Sequence, residues 1–276
     1  MIADLGFMDS LVGVSEECRW PPEVVGKPVV TAAKIDPARM SSLAIDEVVR
    51  ASVRDGGSLY AVDADLIARL APDLIVTQDL CAVCAVSSGD LESACPVGAA
   101  VLSLDPRTLS EVAESLRVLG RRLGAAEKAD EAAARMLEEV EQGAASVRGV
   151  ERRRVFFAEW IDPPFCAGHW LPEMICLAGG EDVMGREGRP SHVTSWEEVL
   201  AHEPELVIVG PCGFGVEEAA ARAADLRLPC PAVAVDGDTY YSRPGTRLAA
   251  GVRQLAHLLH PEVAPDPGLP AIPLAG

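Results

Sequence analysis

The feature with the longest reach over the fold is a unit that occurs twice. "DADLIARLAPDLIVTQ" (Asp63 to Gln78) and "TSWEEVLAHEPELVIVG" (Thr194 to Gly210) each pass from a capping residue through a short amphipathic stretch to a proline, an acid and an aliphatic run. Asp63, and Thr194 or Ser195, carry the side-chain oxygens that N-caps need, while Pro72 and Pro204 stop the helices. The runs that follow are too short for helices and have the aliphatic content of buried strands. One copy in each half predicts two similar α/β lobes; independent use of the same helix-to-strand loop chemistry is the plainer alternative.

Further runs repeat this rhythm. Strands are predicted at "LVGVS" (Leu11 to Ser15), "PVVT" (Pro28 to Thr31), "DLIVTQ" (Asp73 to Gln78), "AAVLSLD" (Ala99 to Asp105), "RRVFFAEW" (Arg153 to Trp160), "ELVIVG" (Glu205 to Gly210) and "AVAVDG" (Ala232 to Gly237). Alternation with helical patterns at this spacing means βαβ units and mostly parallel sheets. Between Thr108 and Arg148 the chain turns Ala- and Glu-rich, which predicts two helices broken near Gly120 to Gly124. The second, long and mixed in charge without sustained heptads, reads as a stiff and largely exposed connector. A length of 276 residues suits two domains. The expected division is residues 1–124 as the N-terminal lobe, 125–149 as the linker helix and 150–276 as the C-terminal lobe.

Charge narrows the partners. With 24 Lys+Arg against 42 Asp+Glu the net charge is -18, so nucleic acid and anionic membrane surfaces are repelled. No window approaches the roughly 18 to 20 apolar residues of a membrane span, so no membrane insertion is expected. The first residues lack the basic and apolar regions of a signal peptide, and the chain as given reads as cytoplasmic. Its 8 cysteines are then expected to be reduced, and most of them small core residues.

In open α/β sheets ligands sit beyond the carboxyl ends of the strands. The segments that follow the strands here are "EECRWPP", "TQDLCAVC", "AEWIDPPFCAGHW", "PCGFG" and "DTYYSRPG". The chain has only 4 Trp, 3 Tyr and 5 Phe, yet Trp20, Trp160, Phe165, Trp170, Phe214, Tyr240 and Tyr241 all fall in these segments. Such a bias predicts a rim suited to a large planar or ring-shaped ligand, against the alternative that the aromatics plug the lobe ends.

Enzyme signatures are scarce. A nucleophile elbow, a Walker loop and a His-Glu-x-x-His pair are all missing, and "GFGVEE" from Gly213 lacks the third small residue of a dinucleotide fingerprint. No catalysis and no required cofactor are expected. The rival chemistry is metal or redox: Cys81 and Cys84 share the two-residue gap that points two sulfurs at one ion or closes a disulfide, and Cys166 with His169 repeats it. His169 and Glu173 lie one helical turn apart, which suits a hydrogen bond.

Taken in order, "LVGVSEECRWPPEV", "LIARLAPDLIVTQ", "RVFFAEWIDPPFCAGHWLPEMICLAGGEDV", "SWEEVLAHEPELVIVG" and "DTYYSRPGTRLAAGVRQLAHLL" resemble the cobalamin-type substrate-binding proteins of ABC importers, the class with a helical backbone. The resemblance implies an α/β fold of two Rossmann-like lobes with mostly parallel central sheets, joined by one long helix, with a ligand cleft between the lobes. It implies a corrinoid, cobalamin-like, held without turnover. By position, Pro163 to Phe165 face the ligand, Tyr240 fills an aromatic slot and Arg243 lies beside it. With the rim residues, the expected contact set is Trp20, Tyr60, Gln78, Asp79, Trp160, Asp162, Pro164, Phe165, His169, Trp170, Phe214, Tyr240, Tyr241 and Arg243. The resemblance also implies an ABC permease partner met by lobe-top acids, Glu197 or Glu198. Such proteins begin with a strand that precedes "MIADLG", and a longer N-terminus would make the chain extracytoplasmic. The competing expectation is a cytoplasmic protein handling metal, haem or siderophore, or a redox enzyme, built on Cys81, Cys84, Cys166 and His169.

Overall fold

The computed structural model describes residues 1–55, 58–78 and 98–274. The chain forms two compact units, Met1–Asp105 and Pro106–Gly276. Cys81, Cys84 and Asp79 lie outside the described residues.

In the first unit, β1 (Thr31–Ala33) pairs antiparallel with β2 (Tyr60–Val62), and β3 (Leu74–Thr77) pairs parallel with β4 (Ala100–Ser103). Helices α1 (Ser42–Arg54) and α2 (Ala64–Leu70) intervene. The Asp63 carboxylate caps α2, accepting from the Leu66 N–H at 2.8 Å, and Ala71 in the left-handed region ends it just before Pro72. The runs at Leu11 to Ser15 and Pro28 to Thr31, predicted as strands, meet only as a bridge between Val14 and Val29, with two hydrogen bonds of 2.9 Å; β1 starts at Thr31. Pro28 has no N–H to extend that ladder.

The second unit opens with α3 (Leu109–Arg122) and α4 (Ala126–Ser146), separated at Gly124, whose φ is 71°. The units therefore part at Asp105, earlier than the boundary at residue 124 drawn from the sequence. Most residues of α4 are exposed, as expected, but Ala129, Ala132, Ala133, Met136, Val140 and Gly143 form a buried face that packs on α3 and on α9 (Leu248–Leu259). Small residues on that face let the backbones approach closely. A Cβ on Gly120 would collide with the Cβ of Ala129. The Glu and Lys residues that suggested exposure lie off that face, Glu139 at its border pairing with Arg253 of α9 at 2.8 Å.

The five-stranded sheet of this unit contains β5 (Arg153–Ala158), β8 (Gly180–Asp182), β9 (Leu206–Val209), β10 (Ala232–Val235) and β11 (Ala271–Leu274), in the order β11-β10-β9-β5-β8. All neighbours are parallel except β11. Val155, Phe156, Phe157 and Ala158 are fully buried, as are Val207 to Val209. Such continuous apolar burial is what a parallel sheet covered on both faces requires. β11 alternates exposed and half-buried residues and carries Pro273, which an edge strand tolerates. Short crossovers run through α5 (Leu171–Leu177), α6 (Trp196–Ala201) and α7 (Val216–Arg222). In α6 the cap is Ser195, accepting from the Glu198 N–H at 3.1 Å, while Thr194 donates to the Glu198 carboxylate at 2.7 Å. β8 and β11 were not predicted: three residues beginning with glycine, and four containing proline, carry little strand signal.

At the carboxyl end of β8, Asp182 turns the chain, its Oδ1 accepting from the N–H groups of Met184 and Gly185. Its Oδ2 is buried and has no hydrogen-bond partner among the described residues, although the residue as a whole is partly exposed. Burial pushes this carboxyl up to about 6, against the pull of the two N–H groups.

Two predictions follow from this packing. Gly120→Ala gains about 0.5–1 kcal/mol of helix propensity but forces α3 and α4 apart at a cost of about 1–3 kcal/mol; urea denaturation is expected to show a net loss. For Asp182, a folded-state pKa above the unfolded value of about 4 means the folded protein binds the proton more tightly. Its stability therefore falls as pH rises from about 4 to about 6 and levels off above. Asp182→Asn abolishes that titration, so its Tm relative to the unsubstituted protein should rise by a few degrees between pH 4 and pH 7.5 in calorimetry. A difference that does not change with pH would refute the assignment.

Candidate ligand-binding site

From β5 the chain crosses first to β8 on one side, then returns to β9 on the other. The carboxyl ends of β5 and β9 are thus the point where the strand order reverses, the position at which open α/β sheets place their ligands. The segments that leave these ends are Glu159 to Phe165 and Gly210 to Gly215.

After β5 the chain makes a tight hairpin, β6 (Trp160–Ile161) with β7 (Pro164–Phe165), through a cis peptide at Asp162-Pro163. The hairpin is held on all sides. Glu159 N–H donates to the Phe165 carbonyl at 3.0 Å, Thr194 N–H to the Pro164 carbonyl at 2.8 Å, and the Trp196 indole to the Ile161 carbonyl at 3.1 Å. The Glu159 carboxylate accepts from the Gly168 N–H at 2.9 Å. From β9, Gly210 N–H donates to the Ala158 carbonyl and Cys212 N–H to the Glu159 carbonyl, each at 3.1 Å. This tie brings Trp160 against Phe214, ring centroids 5.7 Å apart and planes inclined by 37°. Trp160 and Phe165 are half-buried, and Phe214 is buried.

The end of β10 adds a polar part. Asp236 caps the one-turn helix α8 (Gly237–Tyr240), accepting from the Thr239 N–H at 2.8 Å. Gly237 is required for close approach, since a Cβ there would lie 2.5 Å from the Gly210 and Pro211 carbonyl oxygens. Asp238 N–H donates to the Phe214 carbonyl at 3.1 Å, and Arg243 grips the Asp238 carboxylate through Nε at 2.8 Å and Nη2 at 2.6 Å. Asp238 is buried, whereas Arg243 and Tyr240 are half-exposed. Burial, followed by the neighbouring Arg243 charge, pulls the Arg247 guanidinium below its usual range.

The structure thus gathers Trp160, Phe165, Phe214, Tyr240 and Arg243 on segments that leave one edge of one sheet, with Asp162 exposed at the hairpin turn and Pro164 buried beneath it. Trp170 and Tyr241, expected at the rim, are instead core residues, 3% and 1% exposed. The Trp170 indole donates to the Tyr241 carbonyl at 2.8 Å, and the Tyr241 hydroxyl to Gln254 at 2.7 Å. Tyr241 also meets the Phe157 ring at 5.1 Å. These bonds satisfy both polar tips inside the core, which is how a large aromatic is buried without cost to its polar end. Trp20, Tyr60 and Gln78 belong to the first unit, Trp20 exposed, Tyr60 and Gln78 half-buried.

The thiol and imidazole expected to act together are paired otherwise. Cys166 Sγ lies 2.9 Å from Nδ1 of His192, twenty-six residues away, and not against His169. The thiol is fully buried, and burial with the nearby Asp182 and Glu159 charges pushes it up to about 11, so it stays protonated. His169 sits in the left-handed region at φ 52°, its N–H bonded to the Arg189 carbonyl at 2.6 Å. Burial, then the Arg107 charge, lower its pKa, and its Nε2 is buried without a partner among the described residues. Glu173, one turn further, caps α3 by accepting from the Leu109 N–H at 2.8 Å. Among the described residues no three His, Cys, Asp or Glu side chains converge as a metal site. His192 was missed because no local motif marks it; only the fold brings it to Cys166.

The molecule has close counterparts. The vitamin B12-binding protein of Salmonella typhi is 25% identical over 234 residues, which cover 83% of this chain and 84% of that one. The crystal structure of the periplasmic vitamin B12 binding protein of Vibrio cholerae matches with a TM-score of 0.63 at 20% identity, covering 94% of this chain and 91% of its own. A periplasmic heme binding protein from Pseudomonas aeruginosa matches with a TM-score of 0.69 at 18% identity, covering 99% and 90%. No helix among the described residues is long and apolar enough to cross a membrane. Residues 1–227 match the model of the periplasmic binding protein family, and the chain belongs to that family.

Proposed function

We propose that the chain is a solute-binding protein that holds a corrinoid of the cobalamin type, without turnover, on the aromatic rim where β5 and β9 end. The observation that carries this reading is the Trp160–Phe214 pair at the reversal of strand order. The half-buried Trp160 indole, backed by Phe214, offers an apolar face at the place where an open α/β sheet leaves room for a ligand. The Asp238–Arg243 pair beside it supplies a fixed charge pattern suited to the amide and phosphate groups at a corrinoid's edge. The similarity to vitamin B12-binding proteins supports the choice of ligand. Membership of a periplasmic family favours a site of action outside the cytoplasm over the cytoplasmic expectation.

Haem is the second reading, supported by the fold shared with a heme binding protein. Both are large metal-bearing rings, and both suit the same aromatic surface. Among the described residues the buried thiol near the rim, Cys166, is pushed up by burial and stays protonated, which weighs against thiol chemistry there. Delivery to an ABC permease rests on the family, with Glu197 and Glu198 proposed as contacts. Both are exposed at the start of α6, where Glu198 already accepts from Thr194.

Titration with hydroxocobalamin, followed by absorbance and calorimetry, is expected to give saturable binding with a Kd of about a micromolar or tighter, roughly -8 kcal/mol. Trp160→Ala should weaken it by about 2 kcal/mol or more, a factor of about 30, as loss of a central aromatic anchor does. Tight binding of hemin with none of hydroxocobalamin would replace the corrinoid by haem. Binding of neither ligand would overturn the reading.

A further inference from the structure

Arg222 lies outside every segment that the strand-end rule marks as functional, yet its guanidinium carbon sits 4.1 Å from the centre of the Phe214 ring. Phe214 precedes α7 by two residues, and Arg222 is the last residue of that helix. Helical side chains lean toward the N-terminus, so the Arg222 stem runs back along α7 from its last turn to the ring ahead of its first. On the way it is clamped. Glu218, at i-4, accepts from Arg222 Nε at 3.1 Å and from Nη2 at 2.8 Å. The acid N-terminal to the base is the favoured order for such a pair. Arg222 is only 11% exposed in its side chain, which strengthens a cation over an aromatic face relative to one in open water.

Phe214 in turn is the ring that meets Trp160. Arg222, itself held by Glu218, thus sits over a ring from the β9 loop, and that ring meets the indole of the β5 hairpin. An indole that rocks would have to be ordered each time a ligand docked, whereas one already held avoids that cost.

We propose that Arg222 is a positioning residue: through Phe214 it fixes the Trp160 ring as the platform for the ligand's flat face. The ligand half of this claim rests on the function proposed above; the fixing of Trp160 does not. Arg222 touches no ligand. It acts by keeping Trp160 in one orientation, so its loss makes the complex dissociate faster and leaves association little changed.

The test uses the full chain labelled with 5-fluorotryptophan, which gives one fluorine resonance for each of the 4 Trp residues, Trp160 being assigned by its absence in Trp160→Phe. Arg222→Met keeps the stem but removes the charge and the Glu218 pair. It is expected to shift and broaden the Trp160 line while those of Trp170 and Trp196 stay in place. The Kd for hydroxocobalamin should weaken about 5- to 20-fold, mostly through dissociation. Phe214→Leu, which keeps apolar volume, should move the same line, and the double variant should lose no more affinity than the worse single one, because both act along one chain of contacts. Arg222→Lys, with charge but no planar fork, should fall between. An unmoved Trp160 line in both Arg222→Met and Phe214→Leu overturns the proposal, as do additive losses of affinity. If the unsubstituted protein binds neither hydroxocobalamin nor hemin, the functional reading falls, and the fluorine line still decides whether Arg222 fixes Trp160.

Discussion

The pairing of β5 on both of its edges is the constraint on which the rest of the second unit depends. Its first half bonds to β8, from Arg153 opposite Gly180 to Val155 opposite Asp182. Its second half bonds to β9, from Val155 opposite Leu206 to Ala158 opposite Val209. Because β8 stops at Asp182, the last residues of β5 have a strand neighbour only on the β9 side. The segment from Val183 to Thr194 fills the space beyond β8 and binds back to the hairpin after β5, through the Val193–Phe165 bridge and the Thr194 to Pro164 bond. A register slip on either edge would turn Phe156 and Phe157 to the wrong faces. It would also move the Trp160 hairpin away from the β9 loop.

A chain with so few aromatic residues has to divide them between core and rim. Phe156 and Phe157 point to opposite faces of β5, and each meets one ring, Trp196 edge-on at 5.7 Å and Tyr241 tilted at 5.1 Å. Aromatic pairs are worth about 0.5–1.5 kcal/mol beyond their buried area, so these two contacts help to fix the covering segments on each face of the sheet. Of the remaining pairs, Trp160 with Phe214 joins the two segments that leave the carboxyl ends of β5 and β9. Its indole is half-buried, as is that of Trp196, whereas Phe156, Phe157 and Tyr241 are buried.

How much of this could be read in advance depended on how local the signal was. The repeated helix-proline-strand unit was legible because its parts lie within one short stretch: Asp63 and Ser195 cap as their sequence neighbours require, and β3 and β9 each start at the leucine two residues after the proline. The break at Gly124 was legible for the same reason. The rim was legible only in part. Strand-end position picked out Trp160, Phe165, Phe214 and Tyr240, and the resemblance added Arg243; strand-end position also picked out Trp170 and Tyr241, which a hydrogen bond across seventy-one residues joins inside the core. No local rule separates a loop aromatic that folds inward from one that stays at the mouth, because the partner of each is set by the fold. The same holds for α4, whose alanines looked neutral in sequence and prove to be the contact face.

Cys166 carries that argument to chemistry. Beside His169 in sequence it suggested a metal or redox pair, and beside His192 in space it still has an imidazole at 2.9 Å, the arrangement from which a reactive thiolate is made. Two facts of placement remove the reactivity. The sulfur is buried among Phe156, Ile161, Val199 and Val207, so its charged form would lose hydration and gain little in return. The carboxylates of Asp182 and Glu159 lie near enough to oppose a second negative charge. The imidazole therefore accepts or donates a hydrogen bond to a neutral thiol, and the pair pins the Val183 to Thr194 segment to the hairpin that carries Trp160. A residue type associated with reaction thus holds the frame of the hairpin.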